Sequence, residues 1–320
     1  MLIFRYTRNI VILSIISLLA GCSTLLNQKD PDVIVTTEPM LTKSEEGEVD
    51  KVTSADSINL DVVEGKGPIF SNPIKRPEDI SNMKNFNPDS LDYVYKTAEL
   101  TRKELNQNIP LIGFAGSPWT LAAYSIEGSS SKNFDLTKSF IESHSDDAHK
   151  FLDILADACF EYLKRQIISG VDVVQIFDSW ANLLSEEQYL EYSLKYIKKI
   201  LKKLSEDPVT SKTPTIVFAR DPKCNLNEFK LDDLSCYGMF TSINPNNAIS
   251  VFEGSHALQG NLDPKILLEE DFVIKESVSR ILSNFKDYPG YIFNLGHGIT
   301  PDINPDKVRV LVDAIRDSGS

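Results

Sequence analysis

Six apolar, β-rich runs recur along this chain, at 111–115, 171–177, 215–219, 237–242, 257–260 and 291–295. Segments with helical spacing stand before and between them, at 90–105, 147–169, 186–204 and 271–285. Parallel strands need a long crossover between them, usually a helix, so this alternation predicts a parallel sheet with helices packed outside it. The predicted fold is α/β, a (β/α)8 TIM-type barrel that is incomplete at its N-terminal strands, because a closed barrel uses eight strands and six are readable. An open arc leaves two sheet edges unpaired. Either the early segment at 33–37 or a second copy of the chain has to cover them.

A barrel keeps its chemistry just beyond the carboxyl ends of its strands. Those positions hold 116–119 after the first run, then Asp178 and Ser179, Arg220, Asn261 and Asp263, and finally Gly296-His297-Gly298. The segment 110–128 reads as strand, Gly-Ser-Pro turn and helix. Its Tyr124 is either a core tyrosine with a satisfied hydroxyl or a site residue. Ser179 either caps a turn or touches a ligand. His297 lies between glycines that permit close backbone approach. Arg220 is either a surface arginine or a cation for the site. His144, His149 and His256 read as surface or structural residues.

The net charge of −13 excludes nucleic acid as a partner. A polyanionic ligand would need local cations. The cysteines at 22, 159, 224 and 236 form no CxxC pair, which argues against a structural zinc or a disulfide framework. At the N-terminus, Arg5 and Arg8 precede an apolar stretch over 10–20 and then Gly21-Cys22-Ser23. That pattern is similar to a bacterial lipoprotein signal with Cys22 as the acylated residue. The alternative is a buried element that happens to end in cysteine. The expected division is a signal segment at 1–22, an acidic tether at 23–59, and a globular body at 60–320. Residues 33–37 stand out in the tether as one isolated strand. On the signal reading the protein sits in the cell envelope, held to the membrane only through Cys22.

Five ordered stretches of the body resemble the uroporphyrinogen decarboxylase family. They are the segment 110–128, Val63-Glu64-Gly65-Lys66-Gly67-Pro68, Gln175-Ile176-Phe177-Asp178-Ser179-Trp180, Leu258-Gln259-Gly260-Asn261-Leu262-Asp263-Pro264, and Phe293-Asn294-Leu295-Gly296-His297-Gly298. The resemblance implies a homodimeric, cytoplasmic (β/α)8 barrel that needs no cofactor. It implies a carbon–carbon lyase of heme biosynthesis, which removes four acetate carboxyls from uroporphyrinogen III to give coproporphyrinogen III. It also implies that Tyr124, Ser179 and His297 contact the tetrapyrrole.

The chain departs from the family pattern in two respects that matter chemically. It holds no Arg-Gln-Ala-Gly-Arg-Tyr motif, whose arginines meet substrate carboxylates in the family. The family's second-strand aspartate overlays at best on Glu38, after the run at 33–37. The expectation is therefore an impaired decarboxylase. The alternatives are a lipid-anchored, non-catalytic tetrapyrrole binder and a truncated enzyme fused to a lipoprotein signal. A related zinc methyltransferase would need a His/Cys set near the last strands, but no cysteine follows His297 and the nearest before it, Cys236, precedes the fourth run.

Overall fold

The computed structural model describes residues 72–83 and 86–318, together with four short strands before them. Strands β1 (Val11–Leu13) and β2 (Val33–Val35) pair in parallel, with Val11 opposite Val33. The run expected to be an isolated strand is thus a paired one. Strands β3 (Leu60–Val63) and β4 (Gly67–Phe70) form an antiparallel pair. Cys22, Glu38 and most of the signal and tether segments lie outside the described residues.

After α1 (Pro77–Ser81) and α2 (Asp92–Glu104) the strand–helix alternation begins. Strand β5 (Ile112–Gly116) leads into α3 (Pro118–Glu127), α4 (Asp135–Ser143) and the long α5 (Ser145–Ile168). Strand β6 (Val173–Asp178) is followed by α6 (Glu186–Tyr189), a π-helical turn at Leu190–Leu194, and α7 (Lys195–Glu206). Then come β7 (Thr215–Ala219), β8 (Cys236–Gly238), α8 (Pro245–Phe252), β9 (Ala257–Gln259), α9 (Asp271–Asn284), β10 (Tyr291–Ile292) and α10 (Pro305–Asp317). The strands from β5 to β10 form one six-stranded sheet in sequence order, every neighbouring pair parallel. All six expected strands are present, in the α/β arrangement of a TIM-type barrel.

Helix α5 shows why the helices lie where they do. Its buried residues Ala148, Phe151, Leu152, Ala156, Cys159, Phe160 and Leu163 return every three or four positions and make one apolar face toward the sheet. Helix α7 does the same with Ile197, Ile200, Leu201 and Leu204. A smaller cluster joins α9 and α10 through Ile274, Val278, Leu311 and Ile315.

Two expected boundaries moved. The single helix expected over 186–204 carries a π-turn, and the residue this inserts brings Ser193 onto the buried Asp178, 2.5 Å from its carboxylate. The fourth strand covers Cys236–Gly238 rather than 237–242. Beyond it the carbonyls of Phe240 and Ile243 accept from the Asn261 side chain at 2.9 and 2.8 Å, which ties that stretch into a turn.

Candidate active site

The junction between β5 and α3 is built around Ser117. Its hydroxyl accepts from the Thr120 N–H at 3.0 Å, capping α3, and donates to Asp178 at 2.8 Å. Pro118 occupies the first turn of α3, where a missing N–H is harmless. Thr120 donates its own hydroxyl to Asp178 at 3.0 Å. The carboxylate at the end of β6 therefore fixes the start of the helix that carries Tyr124. Asp178 is fully buried, and burial pushes its pKa up against the downward pull of Ser193, Ser117 and Thr120. The nearby Tyr189 hydroxyl has no formed partner among the described residues, so its pull on Asp178 is electrostatic. Asp178 is a structural carboxylate rather than a ligand contact.

Tyr124 is half-buried on α3, its ring edge-on to Phe134 at 5.8 Å and to Trp180 at 5.9 Å. Phe134 in turn packs on Trp180 at 4.6 Å. The Trp119 indole N–H holds the Trp180 carbonyl at 3.0 Å, so this aromatic group stands on a fully buried tryptophan. Burial raises the Tyr124 pKa, while the Trp180 indole and the Arg220 charge pull it down. Trp180 Nε1 makes no hydrogen bond to a described residue, so its pull is a field effect rather than a formed bond. Ser179 is half-buried between Asp178 and Trp180. Arg220 follows β7 directly, its N–H on the Asp178 carbonyl at 3.0 Å and its guanidinium 5.8 Å from the centre of the Trp180 ring.

His297 lies on the other side, beyond β10. Its Nδ1 is 3.0 Å from the Gly298 carbonyl, which can only accept, so Nδ1 carries the proton and Nε2 is left for a ligand. Its ring stacks on Phe240 at 5.6 Å and 26°. From Phe240 a run of aromatic contacts crosses the sheet, to Phe218 at 6.5 Å, Phe177 at 5.9 Å and Phe114 at 5.8 Å. Gly238, opposite Phe218 in the ladder, makes room for that ring: a Cβ there would come 3.1 Å from the phenylalanine's own Cβ. Gly296 permits a closer approach still, since a Cβ would meet the Thr241 backbone nitrogen at 2.6 Å. A small cavity opens here, lined by Phe177, Phe218, Gln259, Asn294 and His297. The Gln259 side-chain oxygen faces no hydrogen-bond partner among the described residues, although the residue is 2% exposed.

The sequence-expected residues thus fall into two groups. Tyr124 and Ser179 gather with Trp180 and Arg220 at β5–β7, while His297 joins the cavity at β8–β10. Phe177, two residues before Ser179, lines that same cavity and links the groups. Asn261 pins two carbonyls through its amide N–H groups, and Asp263 caps a short helix through one carboxylate oxygen. His256 is structural, bonded to Ser255 and to the Leu231 carbonyl, and His149 bridges Tyr196 and Glu191. Phe218 and Phe240 were not singled out as site residues from the sequence, nor were Gln259 and Asn294, although the last two stand in the family-like stretches. The signal for Phe218 was its position two residues before Arg220, on the same face of an alternating strand. Among the described residues no group of His, Cys, Asp and Glu could hold a metal ion.

Residues 52–318 match the family described as uroporphyrinogen decarboxylase (URO-D). The chain is 38% identical over 267 residues to the uroporphyrinogen decarboxylase of Ruthia magnifica subsp. Calyptogena magnifica, an alignment covering 83% of this chain and 77% of the relative. It is 39% identical over 273 residues to that of Chloroherpeton thalassium, covering 83% and 76%. Among solved structures it resembles a methyltransferase from Methanosarcina mazei, with a TM-score of 0.64 at 18% identity, covering 82% of this chain and 75% of the other. A B12-independent methionine synthase from a Shewanella species gives 0.50 at 13% identity, covering 81% and 72%. At those identities the likeness is one of fold. By sequence, the chain belongs to the uroporphyrinogen decarboxylase family.

Proposed function

We propose that this chain binds uroporphyrinogen III at the carboxyl ends of its strands and removes acetate carboxyls from it, a lyase reaction that needs no cofactor and leads toward coproporphyrinogen III. The observation that carries the reading is the pairing of an aromatic floor, Phe177, Phe218 and Phe240, with polar groups at its two ends. A macrocycle suits the floor, and its carboxylates suit Tyr124, Ser179 and His297 at the rim. In each step the bond between an acetate's methylene carbon and its carboxyl carbon breaks and carbon dioxide leaves. The pyrrole is first protonated on a ring carbon and takes up the electron pair; a proton then reaches the methylene carbon, giving a methyl group, and the ring releases its own proton, so one proton is consumed per carbon dioxide. The protein's part is to hold the ring and steady the charge. Burial keeps the Tyr124 hydroxyl protonated and able to donate to a carboxylate. His297 meets a second carboxylate as the imidazolium, Nε2–H donating to it while Nδ1–H keeps the Gly298 carbonyl.

Turnover on this reading is slow. The sequence contains no Arg-Gln-Ala-Gly-Arg-Tyr, and a site for a ligand with eight carboxylates is weakened without such arginines. Loss of one group that meets the transition state costs about 3 kcal/mol, or roughly a hundredfold in rate. A second reading, a non-catalytic tetrapyrrole binder in the cell envelope, is favoured by the Gly21-Cys22-Ser23 site after an apolar stretch, with Cys22 as its lipid anchor. Anaerobic incubation of the protein with uroporphyrinogen III, with products separated by carboxyl number, distinguishes the two. Slow appearance of products with fewer carboxyls, reduced tenfold or more by Tyr124→Phe, is expected. Binding with no product supports the second reading, and neither binding nor product overturns both.

A further inference from the structure

The described arginines mostly have carboxylate partners: Arg76 holds Asp79, Arg102 holds Asp172, Arg165 holds Asp89 and Arg309 holds Asp306. Arg220 differs. It is exposed at the end of β7, and its contact is with the face of Trp180 rather than with an acid. The two carboxylates nearest to it in the chain and across the sheet are already engaged. Asp221 accepts from the Ser242 hydroxyl at 2.7 Å, and Asp178 is buried under three hydroxyls.

A guanidinium can stack by its face while its edge N–H groups stay free to grip a carboxylate in a two-pronged contact. The backbone bond from Arg220 to the Asp178 carbonyl fixes the base of the side chain beside Ser179. Its charge reaches the hydroxyl of Tyr124, whose ring also packs against Trp180. In a molecule of net charge −13, a cation with no acidic partner among the described residues, set among aromatic rings, is the kind of local positive potential that an anionic ligand requires.

We infer that Arg220 binds one carboxylate of the substrate at the Tyr124 side of the site, with the Trp180 ring as its platform. This rests on the reading of the site as one for a carboxylated tetrapyrrole. It makes Arg220 a substrate-positioning residue, supplying at β7 a cation of the kind the family places on its first strand.

The test uses the full chain and uroporphyrin, the oxidised and unreactive form of the ligand, titrated by fluorescence at low and at moderate salt. Arg220→Gln is expected to bind about tenfold more weakly at low salt and to show a smaller loss of affinity on adding salt. Arg220→Lys keeps the charge and loses the fork, so it is expected to recover part of the affinity. In turnover, Arg220→Gln is expected to raise KM more than it lowers kcat. Because Arg220 is exposed, its variants are expected to melt with the unaltered protein; if Arg220→Gln does not fold, the salt response of Arg220→Lys decides. Equal affinity of Arg220→Gln and the unaltered protein overturns the inference while leaving the tetrapyrrole reading intact. Failure of the unaltered protein to bind uroporphyrin overturns that reading, and the inference with it.

Discussion

Asp178 carries much of the site's geometry although it never faces the ligand. Two hydroxyls from the β5–α3 junction and one from the π-turn converge on it, so removing its acceptor oxygens would release both Tyr124's helix and Ser179's loop. Its pKa in the folded protein is raised by burial. Folding therefore takes up a proton between the unfolded value, about 3.9, and the higher folded one. The folded state is favoured by this group below that window, and the advantage is lost as pH rises through the folded pKa. Asp178→Asn removes the buried charge and keeps an acceptor for Ser117 and Thr120. The melting temperature of the variant relative to the unaltered protein, followed by circular dichroism, is expected to rise as pH climbs from the unfolded carboxyl value, about 3.9, through the raised folded one. A difference that stays constant with pH would contradict the assignment. The sequence showed that Asp178 and Ser179 end a strand. It could not show that one turns inward and the other outward, because that depends on hydroxyls 15 to 61 residues away.

At the scale of elements, the runs that became β5 to β10 were legible because each is apolar, β-rich and bounded by a turn. Helices α2, α5 and α9 were legible to within a few residues from their apolar spacing. The π-turn was not, since nothing in 186–204 interrupts the helical pattern, and the turn is fixed by what Ser193 reaches. The end of β8 was hidden for a similar reason, because Asn261, on the loop after β9, decides it. Arg102 ties the opposite ends of the elements together. It donates to the carbonyls of Leu105, Asn106 and Ile109 and to Asp172, which itself accepts from the Leu111 N–H at 2.8 Å. That one side chain closes the end of α2 and sets the start of β5. Arg102→Ala is expected to destabilise the protein by about 2 kcal/mol in urea unfolding, because three carbonyls and a carboxylate lose a charged donor. A loss below about 0.5 kcal/mol would show that water replaces the arginine without penalty.

For the whole molecule, the six-stranded sheet with its outer helices is the larger part of a barrel, and its carboxyl-end face carries every residue proposed to meet the ligand. Acidity and ligand charge are reconciled locally: the protein is acidic, while the site presents Arg220, His297, a protonated tyrosine and a serine. Much of this face was readable from sequence, because strand-end positions and family motifs name Tyr124, Ser179 and His297. The aromatic floor was not, because Phe177, Phe218 and Phe240 come from three different strands and loops and meet only in the sheet. The homodimer that the family resemblance implies is a further proposal: a second copy would cover the edges of β5 and β10. The central claim is that the tetrapyrrole lies across that floor between the Tyr124 and His297 groups. A crystal structure of the protein with uroporphyrin tests it most directly. The expected result is a macrocycle against Phe177, Phe218 and Phe240, with carboxylates at Arg220 and His297. A porphyrin bound elsewhere, with the cavity beside His297 empty, would contradict it.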